Sequence, residues 1–178
     1  ISRSGKVGKA TYSKEYPEDV RSPVVKIEMT GAKDLQSLID ITFHKKIENQ
    51  DKNNPWDYSE DVFIEDYESQ TKIVGEAPEI FALQLERYKV ENGAVKKVET
   101  KIALPKNGVI DLAKAYQSDR PLEYTLKSFV FHDGKTASSG HYFAFVLHEG
   151  VWYVCDDSVV KPVSPREVEK YKKVGYIY

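Results

Sequence analysis

Apolar and polar positions alternate from Pro23 to Thr30, with Val25, Ile27 and Met29 set against Lys26 and Glu28. This is the two-residue period of a half-buried strand. The spacing then changes. Leu35, Leu38, Ile39 and the run Ile41 to Phe43 recur at helical intervals behind Asp34, a good N-cap residue. Thr71–Val74, Glu79–Val90 and Val95–Leu104 have strand character, and Asn92-Gly93 makes the middle pair a tight hairpin. Leu122–His132, His141–His148 and Val151–Asp156 read as further strands, and Val109–Tyr116 as a short helix. Ser164-Pro165-Arg166-Glu167 is a capping box with proline at the first helical position, predicting a helix to about Tyr171. The first twenty residues are polar and read as a loose arm or irregular strands. Residues 45–68 read as a long acidic connection with at most one short strand, near Val62–Ile64. Hairpins interspersed with a few short helices predict an α+β fold built on a largely antiparallel sheet.

A chain of 178 residues with 40% hydrophobic content can bury a core, which excludes wholesale disorder. No apolar run approaches a membrane span and no charged-then-apolar leader opens the sequence, so a soluble chain without membrane partners is expected. A net charge of −2 argues against a nucleic-acid partner. The single cysteine excludes an internal disulfide or a zinc ribbon and fits a reducing compartment, cytoplasmic or nuclear. Ile1 is not a translation start, and Val174–Tyr178 is strand-like and stops without a turn, so both ends are expected to be cut.

The densest chemistry lies between Phe131 and Ser158. A small polar loop, 133–140, opens onto His141 at the head of an apolar strand, and Glu149-Gly150 turns that strand back. The turn predicts Leu147 opposite Trp152, Phe145 opposite Val154 and Phe143 opposite Asp156. His141 and Asp156 then share a sheet face as diagonal neighbours, within reach of a carboxylate–imidazole contact. A buried carboxylate there would fix the imidazole tautomer and favour its charged form. The same pattern also fits a histidine satisfied at a sheet edge beside two aspartates in an ordinary turn. Cys155 falls opposite Ala144 on the other face, out of reach of His141, and reads as a small buried hydrophobe. His132, Asp133, His141 and Asp156 contain ligand types, but no compact ligand spacing supports a metal. Ser138 and Ser139 precede the histidine on the loop and are weakly placed as nucleophiles.

Three blocks carry a resemblance to the ubiquitin-specific proteases, cysteine proteases of the papain-like class. Pro78–Tyr88 resembles their "P-x-x-L-x-x-x-L-x-R-F" strand, Leu126–Tyr142 their histidine box, and Trp152–Val160 their "W-x-x-x-D-D-x-x-V" strand. Gly175-Tyr176-Ile177-Tyr178 resembles the closing strand. The likeness is firm over 78–178 and weaker over about 20–77. It implies a palm-like region at 78–178, a fingers-like region at 22–77, and at 1–21 a loose arm or irregular start of the fingers. It implies His141 as general base, Asp156 as its orienter and Asp157 as a helper, with Tyr88, Gly140 and Tyr142 lining the channel for ubiquitin's Gly-Gly tail. It also implies that 133–140 is a mobile loop beside that channel.

The sequence departs from the family in one decisive respect: no "G-L-x-N-x-G-N-x-C-Y" box bearing the nucleophile is present, nor the four-cysteine zinc site of many members. The resemblance therefore implies a portion of a deubiquitinating cysteine protease, inactive alone, that needs no cofactor and binds ubiquitin or a ubiquitin conjugate. A separate thumb segment, or a swapped dimer, would complete it. The alternative is an inactive pseudo-protease that serves as a ubiquitin-binding or scaffold module.

Overall fold

The computed structural model describes residues 1–16, 24–47, 55–136 and 139–178. Pro23 and Ser138, which figure in the sequence analysis, lie outside the described residues, as does part of the 45–68 connection.

The opening segment is more regular than its composition suggests. Strands β1 (Ser2–Val7) and β2 (Ala10–Glu15) form an antiparallel hairpin about Gly8-Lys9. Both strands are largely exposed, so no apolar alternation marks them, and the loose-arm reading gives way to a hairpin. Next come β3 (Val24–Ile27), helix α1 (Leu35–Phe43) and β4 (His44–Ile47). The segment read as a long acidic connection holds the one short strand expected in it, β6 (Val62–Ile64), but also β5 (Trp56–Ser59), with β7 (Tyr67–Gln70) at its end. These strands are short and their buried positions are mainly aromatic, while Glu60-Asp61 forms the β5–β6 turn. An acidic run was thus a turn flanked by strands. The order β2-β1-β7-β4 makes one sheet. Trp56, Ile64 and Tyr67 form a small second core, and the Trp56 indole donates to the Tyr16 hydroxyl at 2.7 Å.

The principal core follows from α1. Asp34 caps it, accepting from the Ser37 amide at 2.9 Å, and the helix buries Leu35, Leu38, Ile39 and Phe43. The predicted 79–90 strand breaks into β8 (Ala82–Leu85) and β9 (Tyr88–Glu91). At the break, the buried Arg87 side chain donates to the carbonyls of Gly175, Thr100 and Val98 at 2.7, 2.9 and 3.0 Å. These acceptors let the chain bury a charge that the strand alone would have to expose. β8 pairs in parallel with β3; the other strand ladders among the described residues are antiparallel. β9 and β10 (Ala94–Lys97) form the predicted hairpin, with Asn92 and Gly93 at φ 52° and 76°. Both turn positions need positive φ, which these residue types supply cheaply. Thr71–Val74 makes no ladder, the Ile73 amide bonding instead to the Ala115 carbonyl. The 95–104 strand ends at Lys97, and Ile102 bonds to the Lys173 carbonyl. Segment 109–116 divides into β11 (Val109–Asp111) and α2 (Ala113–Tyr116), and β12 (Glu123–Thr125) pairs with β11.

Strands β13 (Ser128–Asp133), β14 (His141–His148), β15 (Val151–Asp156) and β16 (Val159–Pro162) form a four-stranded meander, followed by α3 (Pro165–Lys172) capped by Ser164. The C-terminal residues stitch this sheet to β8. Leu83 and Tyr178 exchange backbone bonds at 2.8 Å, while the Val130 amide bonds to the Ile177 carbonyl at 2.8 Å. Phe129 and Phe145 stack at 4.7 Å on the face toward α3, joined there by Tyr171 and Tyr178. Packing cuts across the sequence boundaries at 22 and 78: β3 and α1 join the principal core, whereas β1, β2 and β5–β7 surround the smaller one. Among the described residues no helix is long and apolar enough to cross a membrane.

Candidate active site

The β14–β15 register is the one the Glu149-Gly150 turn predicts: Leu147 pairs with Trp152, Phe145 with Val154, and Ala144 with Cys155. His141 heads β14 and Asp156 ends β15, just past the last rung of that ladder. There His141 Nε2 lies 2.5 Å from Asp156 Oδ1. The buried carboxylate expected from sequence is instead exposed: the side chains of His141 and Asp156 are 47% and 51% accessible. The pair projects beyond the aromatic core of the sheet, where no described element covers it.

The hydrogen bond to the Asp156 carboxylate holds the His141 imidazole above its ordinary range, helped by the charges of Asp156, Asp157 and Asp133. Asp157 sits at φ 49° in the turn between β15 and β16. Its carboxylate and those of His141's other neighbour converge, so that the ligating atoms of His141, Asp156 and Asp157 all lie within 4.8 Å of one another. These three are the described residues that could gather round a cation, but Nε2 is already engaged by Asp156. His132, weighed with them as a ligand, faces away: it pairs with Tyr142, whereas Asp133 pairs with His141. Alternation along the strands sends the two histidines to opposite faces.

With Nε2–H donated to Asp156, Nδ1 is the nitrogen free to take a proton. The geometry suits a general base whose charged form is stabilised by a fixed carboxylate. Cys155 is opposite Ala144 and on the other face, as the register requires. The Ser139 hydroxyl is 2.7 Å from that of Thr136 and not from His141.

Tyr88 and Tyr142, expected at a substrate channel, flank a residue whose importance the sequence reading missed. His132 is buried, with its ring 4.4 Å from that of Tyr142 and 6.0 Å from that of Tyr88. The Tyr88 hydroxyl lies 2.5 Å from His132 Nδ1. Burial pushes the Tyr88 phenol up and the His132 imidazole down, so both shifts favour the neutral forms of the two groups in contact. Gly140 lies against that ring: a Cβ there would fall 2.4 Å from His132 Nε2. Sequence could pair Lys97 with Tyr88 through the Asn92-Gly93 turn, but the reach of both to His132 is a tertiary contact that no local signal marks.

Ubiquitin carboxyl-terminal hydrolase 10 of Saccharomyces cerevisiae is 30% identical over 103 residues, 57% of this chain and 13% of the relative. Mouse ubiquitin carboxyl-terminal hydrolase 17-like protein E is 38% identical over 96 residues, 52% of this chain and 17% of the relative. Among solved structures, the SAGA Ubp8/Sgf11/Sus1/Sgf73 DUB module bound to ubiquitin aldehyde matches 99% of this chain and 39% of its counterpart, with a TM-score of 0.69 and 23% identity. Another structure of the SAGA DUB module of the same four proteins gives a TM-score of 0.66 at 24% identity, over 99% of this chain and 37% of that one. The chain thus spans less than a fifth of these curated relatives and under two fifths of the solved chains. Their shared fold is the α+β, largely antiparallel arrangement described above. The family model described as "Ubiquitin carboxyl-terminal hydrolase" matches residues 14–178, nearly the whole of the sequence, and the chain belongs to that family.

Proposed function

We propose that this chain supplies the general base and its orienting carboxylate to a deubiquitinating cysteine protease whose thiol lies outside these 178 residues. The observation that carries the reading is the 2.5 Å contact between His141 Nε2 and Asp156 Oδ1, which leaves Nδ1 free on the exposed side. In the completed enzyme Nδ1 removes the thiol proton, and Asp156 stabilises the resulting imidazolium. The thiolate attacks the carbonyl carbon of ubiquitin's C-terminal glycine, and the imidazolium returns its proton to the departing amine. Water, deprotonated by the same nitrogen, then hydrolyses the thioester. Tyr88, Gly140 and Tyr142 are proposed to border the path of the ubiquitin tail, and Asp157 to support the charged centre.

The test is hydrolysis of a ubiquitin C-terminal fluorogenic amide by the whole protein that carries this chain. His141→Ala is expected to lower kcat by three orders of magnitude or more (about the loss seen when one member of a triad is removed), while Cys155→Ala leaves it within about twofold. Equal loss from both would overturn the assignment.

The second reading, a ubiquitin-binding or scaffold module without chemistry, draws on a different observation: the chain's single thiol is on the face away from His141. It predicts ubiquitin binding by the whole protein with no hydrolysis and no adduct with a ubiquitin vinyl sulfone.

A further inference from the structure

The β9–β10 hairpin grips His132 twice. Tyr88 and Lys97 are register partners across it, so their side chains leave the same face. Tyr88 takes the imidazole of His132. Lys97 takes the backbone, its ammonium donating to the carbonyls of His132 and Gly134, each at 2.7 Å. Those two carbonyls bracket Asp133, and Asp133 is the residue paired with His141 at the last rung of the β13–β14 ladder. Beyond that rung the strands part into the 134–140 loop.

A ladder end that opens into a small-residue loop is where a sheet frays first. Here it is closed from both sides. A Cβ on Gly134 would fall 2.8 Å from the Gly140 Cα and 2.7 Å from His132 Cε1, so the loop's two ends meet over the His132 ring. Lys97 anchors one of those ends directly.

We infer that Lys97 is a positioning residue for His141: by tying the carbonyls on either side of Asp133, it holds the last β13–β14 rung closed and so presents the imidazole to Asp156. The inference rests on the reading of His141 as the base, yet its test needs no turnover. Failure of hydrolysis in the whole protein would sink that reading without touching the measurement below.

Lys97 is half-buried, with its ammonium also 5.7 Å from the centre of the Phe131 ring, so Lys97→Met keeps an unbranched stem while removing the donors and the charge. The experiment is NMR on this chain, comparing the parent with Lys97→Met and Lys97→Arg. It reads amide exchange at His132–Gly134, His141 and Tyr142, exchange at the core residues Phe129 and Phe145, and the titration of the His141 ring. Lys97→Met is expected to speed exchange at the rung by about tenfold or more while the core amides are unchanged, and to move the His141 midpoint down as the Asp156 bond loosens. Lys97→Arg, which keeps charge and donors, should restore both. The sign separates positioning from simple electrostatics. Deleting a cation would by charge alone raise the midpoint, and the groups facing His141 (Asp156, Asp157 and Asp133) are unaltered. A midpoint that rises or stays put, or exchange that increases equally in the core, overturns the inference.

Discussion

His141 and Asp156 meet across two strands at 2.5 Å, joined only because Glu149 and Gly150 turn the hairpin in a register that gives both side chains one face. The bond raises the imidazole's proton affinity, so Asp156→Asn should move the His141 midpoint down, toward or below the ordinary value, in a histidine-resolved NMR titration. An unchanged midpoint would show that the bond is not made in solution.

The same shift has a consequence for stability. Because the folded imidazole binds its proton more tightly than the unfolded one, its contribution is fully present below the ordinary value of 6.5 and is lost as pH rises through the higher folded value. Urea midpoints for the parent should therefore fall relative to Asp156→Asn as pH is raised across that window. Parallel curves would contradict the linkage.

Gly140→Ala should damage the site without touching its chemistry. Its methyl group would stand 2.4 Å from His132 Nε2 and 2.6 Å from the Asp133 carbonyl, both on buried or laddered groups that cannot yield. The expected cost is about 1–3 kcal/mol by urea unfolding, together with loss of the Tyr88–His132 bond, seen as a changed His132 ring shift.

Arg87→Met tests the joint between β8 and β9. The side chain is buried and donates to the carbonyls of Val98, Thr100 and Gly175. Removing it should cost roughly 3 kcal/mol or more, and chemical denaturation with a cost under about 1 kcal/mol would show that water replaces it.

Phe129→Ala removes one half of a stack 4.7 Å apart that also touches Trp152 and Tyr178. A loss of about 3–5 kcal/mol is expected, with thermal unfolding as the readout.

Legibility from sequence followed the physics of each element. The β14–β15 hairpin could be written down in register because its turn is two residues long and its inward positions are aromatic or aliphatic without interruption. The α1 and α3 starts could be placed because Asp34 and Ser164 do there what capping residues do anywhere. The β1–β2 hairpin left no such trace, since two exposed strands have no buried face to impose a period. Of the strands in the acidic segment, β6 was legible at Val62–Ile64, whereas β5 and β7 were obscured by the acidic residues around them. The burial of Asp156 was misjudged for a different reason. Pairing fixes which face a side chain takes, but not whether anything covers that face. The role of Lys97 needed both kinds of information: its partner Tyr88 follows from Asn92-Gly93, but its reach to a third strand is a tertiary fact.

The pinch at Gly134 and Gly140 makes the length of the intervening segment a free variable. Residues added between two ends already in contact would extend how far the segment reaches, while leaving its exit and entry points, and therefore the rung beneath His141, where they are. The entropic toll of such growth is small, about 0.6 kcal/mol per doubling. This stretch is accordingly a port at which the sequence can be rewritten, lengthened or tagged to alter what docks beside the imidazole while the residues that hold it stay untouched.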